Sequence, residues 1–211
     1  MLDVDFYSTA AAAAAAPPHE RFRAPPSPGA AGVAIFVHAS QLPRFKLYLD
    51  ILNSGDRVSE EVMTLFCVKP TREAVRELCV AVQRDPSFAD VEQIDKLKPN
   101  NSLRDMTAKW RIPPSFADEF FLLVGMETVT EALRVKYPHP NLTLHAGKIE
   151  AGESTEAAAR RELLEETNIS VRTFDGPPIA LMGKGMMIYP VYVMHYTLLH
   201  IDRETHRLYI Y

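Results

Sequence analysis

Between Gly147 and Ile169 the chain reads GKIEAGESTEAAARRELLEETNI, and no other stretch restricts the fold as tightly. Gly147 and Gly152 mark a loop; Ser154 or Thr155 then offers an N-cap, and the alanines and leucines beyond it favour helix. Asn168 suits the left-handed backbone that stops a helix, because Asn tolerates positive φ better than most side chains. A loop feeding a helix of about four turns is expected.

On that helix, at roughly 100° per residue, Glu162, Glu165 and Glu166 share an arc of about 100°, while Ala157 and Leu164 lie opposite and are expected to pack on a sheet. One face reads as core and the other as carboxylate. Glu162 and Glu166 are an i,i+4 like-charge pair that costs about 0.2–0.5 kcal/mol on an isolated helix. Arg161, four residues before Glu165, answers part of this charge. A hard divalent cation, Mg²⁺ or Mn²⁺, answers the rest, since it prefers carboxylate oxygens and keeps sites open for phosphates.

The stretch resembles the Nudix box: a glycine, five residues, Glu, seven residues, Arg-Glu, an aliphatic residue, one residue, Glu-Glu, one residue, glycine, aliphatic. Gly147, Glu153, Arg161, Glu162, Leu163, Glu165, Glu166 and Ile169 fill the fixed positions. Asn168 stands where the family has its last glycine, and His145-Ala146-Gly147 stands where many members have Pro-Gly-Gly. The resemblance implies a metal-dependent hydrolase that cleaves a nucleoside diphosphate linked to another group. It implies that Glu162, Glu165 and Glu166 hold the metal, with the Gly147 carbonyl as a further ligand. Glu153 and Arg161 would brace loop against helix, and Glu162 or Glu166 would polarise the attacking water. Lys148 is a candidate phosphate contact or a solvated lysine. His145 reads either as a general base or as a polar residue satisfied beside the loop. In many relatives another base or ligand follows some forty residues on; Glu204, 38 residues after Glu166, is the candidate here, with Asp202 near it, and both also suit a surface turn.

With 211 residues the chain has room for one sizeable core and an appendage. The appendage is expected at residues 1–32, where the alanine run Ala10–Ala16 and Pro17, Pro18, Pro25, Pro26 and Pro28 lack the large apolar groups that offset ordering entropy. An acidic start, Asp3 and Asp5, and an alanine run too short to span a bilayer predict neither export nor a transmembrane helix. Cys67 and Cys79 are too few for a disulfide framework, so a reducing, intracellular setting is expected.

Residues 33–211 are then a Nudix-type domain, by resemblance an α/β/α sandwich of mixed β-sheet with an enlarged N-terminal insertion. Strands are expected at Val33–Val37, Phe45–Leu52, Phe120–Val124, Ile179–Met182, Ile188–Leu199 and Leu208–Tyr211, and helices at Arg72–Gln83, capped by Thr71, and at Thr128–Tyr137. With a strand at the end, the family's usual closing helix is not evident, and its role is expected to fall to the long segment before the box.

That segment carries Lys96, Lys98, Arg104, Lys109 and Arg111 around Trp110, read either as a solvated insertion or as a patch for an anionic substrate. The overall charge of −4 supplies no general field for nucleic acid or anionic lipid. Two substrates therefore compete: a nucleotide sugar such as ADP-ribose, and capped RNA with Trp110 stacked on a base. Viral Nudix proteins are similar in size and in their enlarged N-terminal part, the baculovirus group with ADP-ribose pyrophosphatase activity more so than the decapping enzymes of large DNA viruses. A non-catalytic nucleotide-binding module is the third reading, weakened by the intact carboxylates.

Overall fold

In the computed structural model the described residues are 28–55, 63–75, 77–78, 103, 106, 114–127, 142–181 and 185–211. Strand β1, Ala30–His38, is buried along almost its whole length, which places it in the middle of a sheet with both faces covered. It starts three residues before Val33, inside the stretch assigned to the leader; residues 1–27 lie outside the described set. The strands β2 (Met63–Val68), β3 (Phe120–Glu127), β7 (Ile179–Leu181) and β8 (Met186–Val193) complete the order β2-β3-β1-β8-β7. Two short strands join it, β4 (Leu142–Thr143) on β3 and β5 (His145–Lys148) on β1. The sheet is mixed, since β1 runs parallel to β8 and antiparallel to β3 and β5. A second sheet orders β6 (Ile169–Val171), β10 (Arg207–Ile210) and β9 (Leu199–Asp202).

Alternation along β1 divides the core. Ala31, Val33, Ile35 and Val37 face helix α1 (Leu42–Ser54), helix α3 (Thr155–Thr167) and the small sheet. Ala34 and Phe36 face the other way, onto Val75, Leu103, Met106 and Phe116, the last on helix α2 (Pro114–Glu119). The second layer thus comes from the long segment before the box, as expected. Thr71 Oγ1 accepts from the Ala74 amide at 3.1 Å, and residues 72–75 and 77–78 are helical. The expected helix Thr128–Tyr137 lies outside the described residues.

Two strand expectations are corrected. Phe45–Leu52 is helix: Phe45, Leu49 and Leu52 recur at i, i+4, i+7 and form the buried stripe of α1, with Pro43 in its first turn. The aromatic and branched residues of that run suit a strand locally, and the helical spacing of the residues that reach the core decided otherwise. The Asn53 side chain at the end of α1 donates to Leu65 O and accepts from Leu65 N, closing the free edge of β2. The run Ile188–Leu199 is two strands in different sheets, because β8 ends at Val193 and Thr197 Oγ1 accepts from the Met194 amide in the turn. Pro190 is tolerated within β8 because pairing with β7 stops at Ile188, and Asp175 then takes over, donating its amide to Pro190 O and accepting from the Tyr192 amide.

Burial pushes the Cys67 thiol up to about 12 against an opposing pull from Lys46. Among the described residues no helix is long and apolar enough to cross a membrane.

Candidate active site

Strand β5 passes beneath α3, and a six-residue loop joins them. Gly152 takes φ +82°, a conformation that favours glycine, and the Glu153 amide closes the turn onto Glu150 O. Ser154 caps the helix by accepting from the Ala157 amide at 3.1 Å. At the other end Asn168 adopts φ 61°, the left-handed stop expected of it. Its side-chain amide also donates to Thr205 O at 2.8 Å and His206 O at 3.2 Å, which a glycine could not do.

Arg161 ties the loop to the helix. Its Nε and Nη2 donate to the two oxygens of Glu153 at 3.1 and 3.0 Å, and Nη2 also donates to Lys148 O at 2.9 Å. Nη1 donates to Glu162 Oε1 at 2.8 Å and Glu165 Oε2 at 3.1 Å. One guanidinium therefore answers three carboxylates, more than the i,i+4 spacing to Glu165 implied. Its hydrogen bonds to Glu153 lead in raising the Arg161 pKa further, and the same bonds, with the Glu150 amide, hold Glu153 below its ordinary range.

The phase of α3 corrects the helical wheel. Ala158, Ala159, Glu162, Leu163 and Glu166 are buried, while Ala157 is exposed and Leu164 only half-buried. Glu162 and Glu166 therefore sit on the sheet-facing side, between apolar residues, instead of opposite them. Gly147 is what makes this feasible: a Cβ built there would lie 2.1 Å from the Glu162 carboxyl carbon. Burial, then the charges of Glu166 and Glu165, push the Glu162 carboxyl up, and Arg161 only partly offsets them. Behind Glu166, His145 is fully buried, with Nδ1 3.5 Å from Glu166 Oε2.

Other candidates are not drawn into this cluster. Glu165 is about half exposed on Arg161. The Lys148 side chain is exposed, and only its carbonyl joins the brace. Glu204 is exposed in the turn 203–206, its amide donating to Asp202 Oδ1 at 2.9 Å. Trp110 and the cations Lys96, Lys98, Arg104, Lys109 and Arg111 lie outside the described residues. Sequence reasoning missed a neighbouring group at the start of α3: Tyr189 Oη is 2.5 Å from Thr155 Oγ1, Phe174 stacks on Tyr189 at 4.6 Å, and Arg160 lies 4.4 Å over Phe174. No local signal links these residues, which meet only when β8 lies beside α3.

Residues 118–198 match the NUDIX domain. The matched span, less than half of the chain, contains the loop, the brace and all of α3, so the likeness to a NUDIX domain rests on the part that builds the site. The fold is the Nudix-type α/β/α sandwich with a mixed sheet. No curated protein and no solved structure gives a significant match.

Nudix hydrolases generally use a divalent metal ion. Among the described residues no three acidic or histidine side chains converge as a ready metal cage, because Glu165 is turned out onto Arg161. The donor chemistry nevertheless fits a hard cation. Glu162 and Glu166 are buried carboxylates on one helix face, and burial leads in pushing the Glu162 carboxyl up, with the charges of Glu166 and Glu165 adding to it.

Proposed function

We propose that this chain is a Mg²⁺- or Mn²⁺-dependent pyrophosphohydrolase that cleaves a nucleoside diphosphate linked to another moiety, with ADP-ribose the type of substrate. The observation that carries the reading is the pair Glu162 and Glu166, buried side by side on the inner face of α3 above a glycine whose missing side chain makes their room. Burying two like charges costs several kcal/mol unless a cation joins them. Glu162 and Glu166 would hold the ion, with Glu165 and the Gly147 carbonyl as further ligands. A bound divalent ion neutralises the diphosphate and lowers the pKa of water. Glu153 and Arg161 keep the loop seated on the helix, and Glu162, whose carboxyl is lifted by burial, suits the acceptance of a proton from the attacking water.

A net charge of −4 supports a small nucleotide over a long polyanion. The capped-RNA reading rests on Lys96, Lys98, Arg104, Lys109, Trp110 and Arg111, which lie outside the described residues. The deciding experiment incubates the protein with ADP-ribose, NADH, dinucleoside polyphosphates and cap-labelled RNA, in Mg²⁺ or Mn²⁺, and identifies the products. AMP and ribose phosphate from ADP-ribose, abolished by EDTA and by Glu166→Gln, is the expected result. Release of the cap from RNA alone transfers the assignment to decapping, and turnover of none of them, with nucleotide still bound, leaves a binding module.

A further inference from the structure

Two glycines hollow the sheet under the inner face of α3. Gly147 gives space to the Glu162 carboxyl. Gly125 sits in the interior of β3, where a glycine weakens a strand and so calls for a close neighbour. That neighbour is found: a Cβ on Gly125 would stand 2.5 Å from Met63 Sδ and 2.9 Å from His145 Cε1. The methionine end is flexible and can move aside. The imidazole is tied to β5, where His145 pairs with Val33, and it is fully buried. One edge of the ring therefore rests in the Gly125 hollow while Nδ1 lies 3.5 Å from Glu166 Oε2.

We propose that His145 is a positioning residue for Glu166: wedged between Gly125 and α3, its ring directs Nδ1–H at the Glu166 carboxylate and holds that oxygen where the divalent ion binds. The inference rests on the metal-dependent reading above. His145 stands where many Nudix boxes have proline, which carries no side-chain donor, so the arrangement belongs to this chain's own sequence. Its complete burial behind Glu166 also removes it as a general base, since a base must reach the water it deprotonates. An imidazole suits this task because it has few rotatable bonds, and packing on Gly125 fixes the ring plane; carboxylate ligands of metals are commonly oriented by such outer partners.

The test compares wild type with His145→Phe, which keeps the ring volume, and His145→Asn, whose amide nitrogen approximates Nδ1. Mn²⁺ affinity is read from the electron paramagnetic resonance of free Mn²⁺, without substrate. His145→Phe is expected to weaken Mn²⁺ by about 10–100-fold and to lower kcat with KM unchanged, and His145→Asn to recover most of the loss. Equal Mn²⁺ affinity in His145→Phe and wild type overturns the proposal, as does an Asn variant no better than Phe. Should His145→Phe fail to fold, ¹⁵N NMR of metal-free wild type and Glu166→Gln decides: the His145 Nδ1 signal is expected to move, and an unmoved signal overturns the contact. A wild type that binds no Mn²⁺ overturns the metal-dependent reading instead, and the NMR comparison still reports on the His145–Glu166 contact by itself.

Discussion

The carboxylates of α3 and its loop fall into an outer and an inner set, joined by Arg161. The outer set, Glu153 in the loop and the half-exposed Glu165, accepts charge-assisted hydrogen bonds from Arg161. Glu153 responds as a satisfied acid, held below its ordinary range. The inner set, Glu162 and Glu166, faces the sheet over Gly147 and His145, and Glu162 responds in the opposite sense although the same arginine touches it. Identical side chains thus have different surroundings: Glu153 in the loop and Glu165 on the helix are both answered by Arg161, and the inner pair keeps negative charge where water screens it poorly. Such a concentration is a disadvantage to the fold and an advantage to a site that binds a cation.

The largest effect expected separates the two sets by turnover. Glu162→Gln and Glu166→Gln should each lower metal-dependent hydrolysis on the order of a thousandfold, and Glu165→Gln by roughly tenfold, measured as kcat/KM with saturating Mn²⁺. Equal losses at all three positions would erase the distinction between inner and outer. Gly147→Ala comes next: its methyl would overlap the Glu162 carboxyl, so activity should be lost together with about 1–3 kcal/mol of stability in a urea melt. An active Gly147→Ala with wild-type stability would mean that Glu162 does not need the hollow.

The sign of the pH response sharpens the contrast. Folding raises the Glu162 carboxyl above 4.5, so its contribution to stability is full below 4.5 and is lost as pH rises through the folded value. In metal-free buffer, Glu162→Gln should therefore gain in Tm relative to wild type as pH climbs from acid towards neutral. Glu153 is the reverse case: lowered below 4.5 by Arg161, it contributes above that value, and its share is lost as pH falls through the folded value. A Tm difference between Glu162→Gln and wild type that stays constant with pH would count against strain in the inner set. The smallest effect is at Asn168, where Ala must adopt φ 61° and forfeits both side-chain hydrogen bonds; about 1–2 kcal/mol is expected from thermal melts, with Asn168→Gly nearer wild type.

Much of α3 was legible because its signals are local. Ser154 precedes the helix it caps and Asn168 follows the helix it ends, whereas the Glu153–Arg161 brace was implied by the resemblance to the Nudix box. The orientation of the helix was not legible. Ranking residues by hydrophobicity sent Ala157 and Leu164 inward and the glutamates outward, whereas the sheet offers a glycine hollow that accepts carboxylates. Helix α1 was misread for a related reason: Phe45 and Ile51 carry β propensity, and only the core contact of Phe45, Leu49 and Leu52 selects the helical period.

What the amino-acid order determined by itself is therefore the raw material of the site: a capped acidic helix behind a glycine loop, a cluster of carboxylates only partly answered by Arg161, and an apolar strand ahead of them. What the tertiary structure alone decided is which of those acids are buried, and what stands beside them. Gly125, Met63, His145 and Gly147 come from three strands separated in sequence, and they meet beneath α3 only after β2, β3 and β5 have assembled around β1. Capping depends on backbone groups a few residues apart and can be read along the chain; desolvation depends on every neighbour in space, and those neighbours are chosen by the sheet.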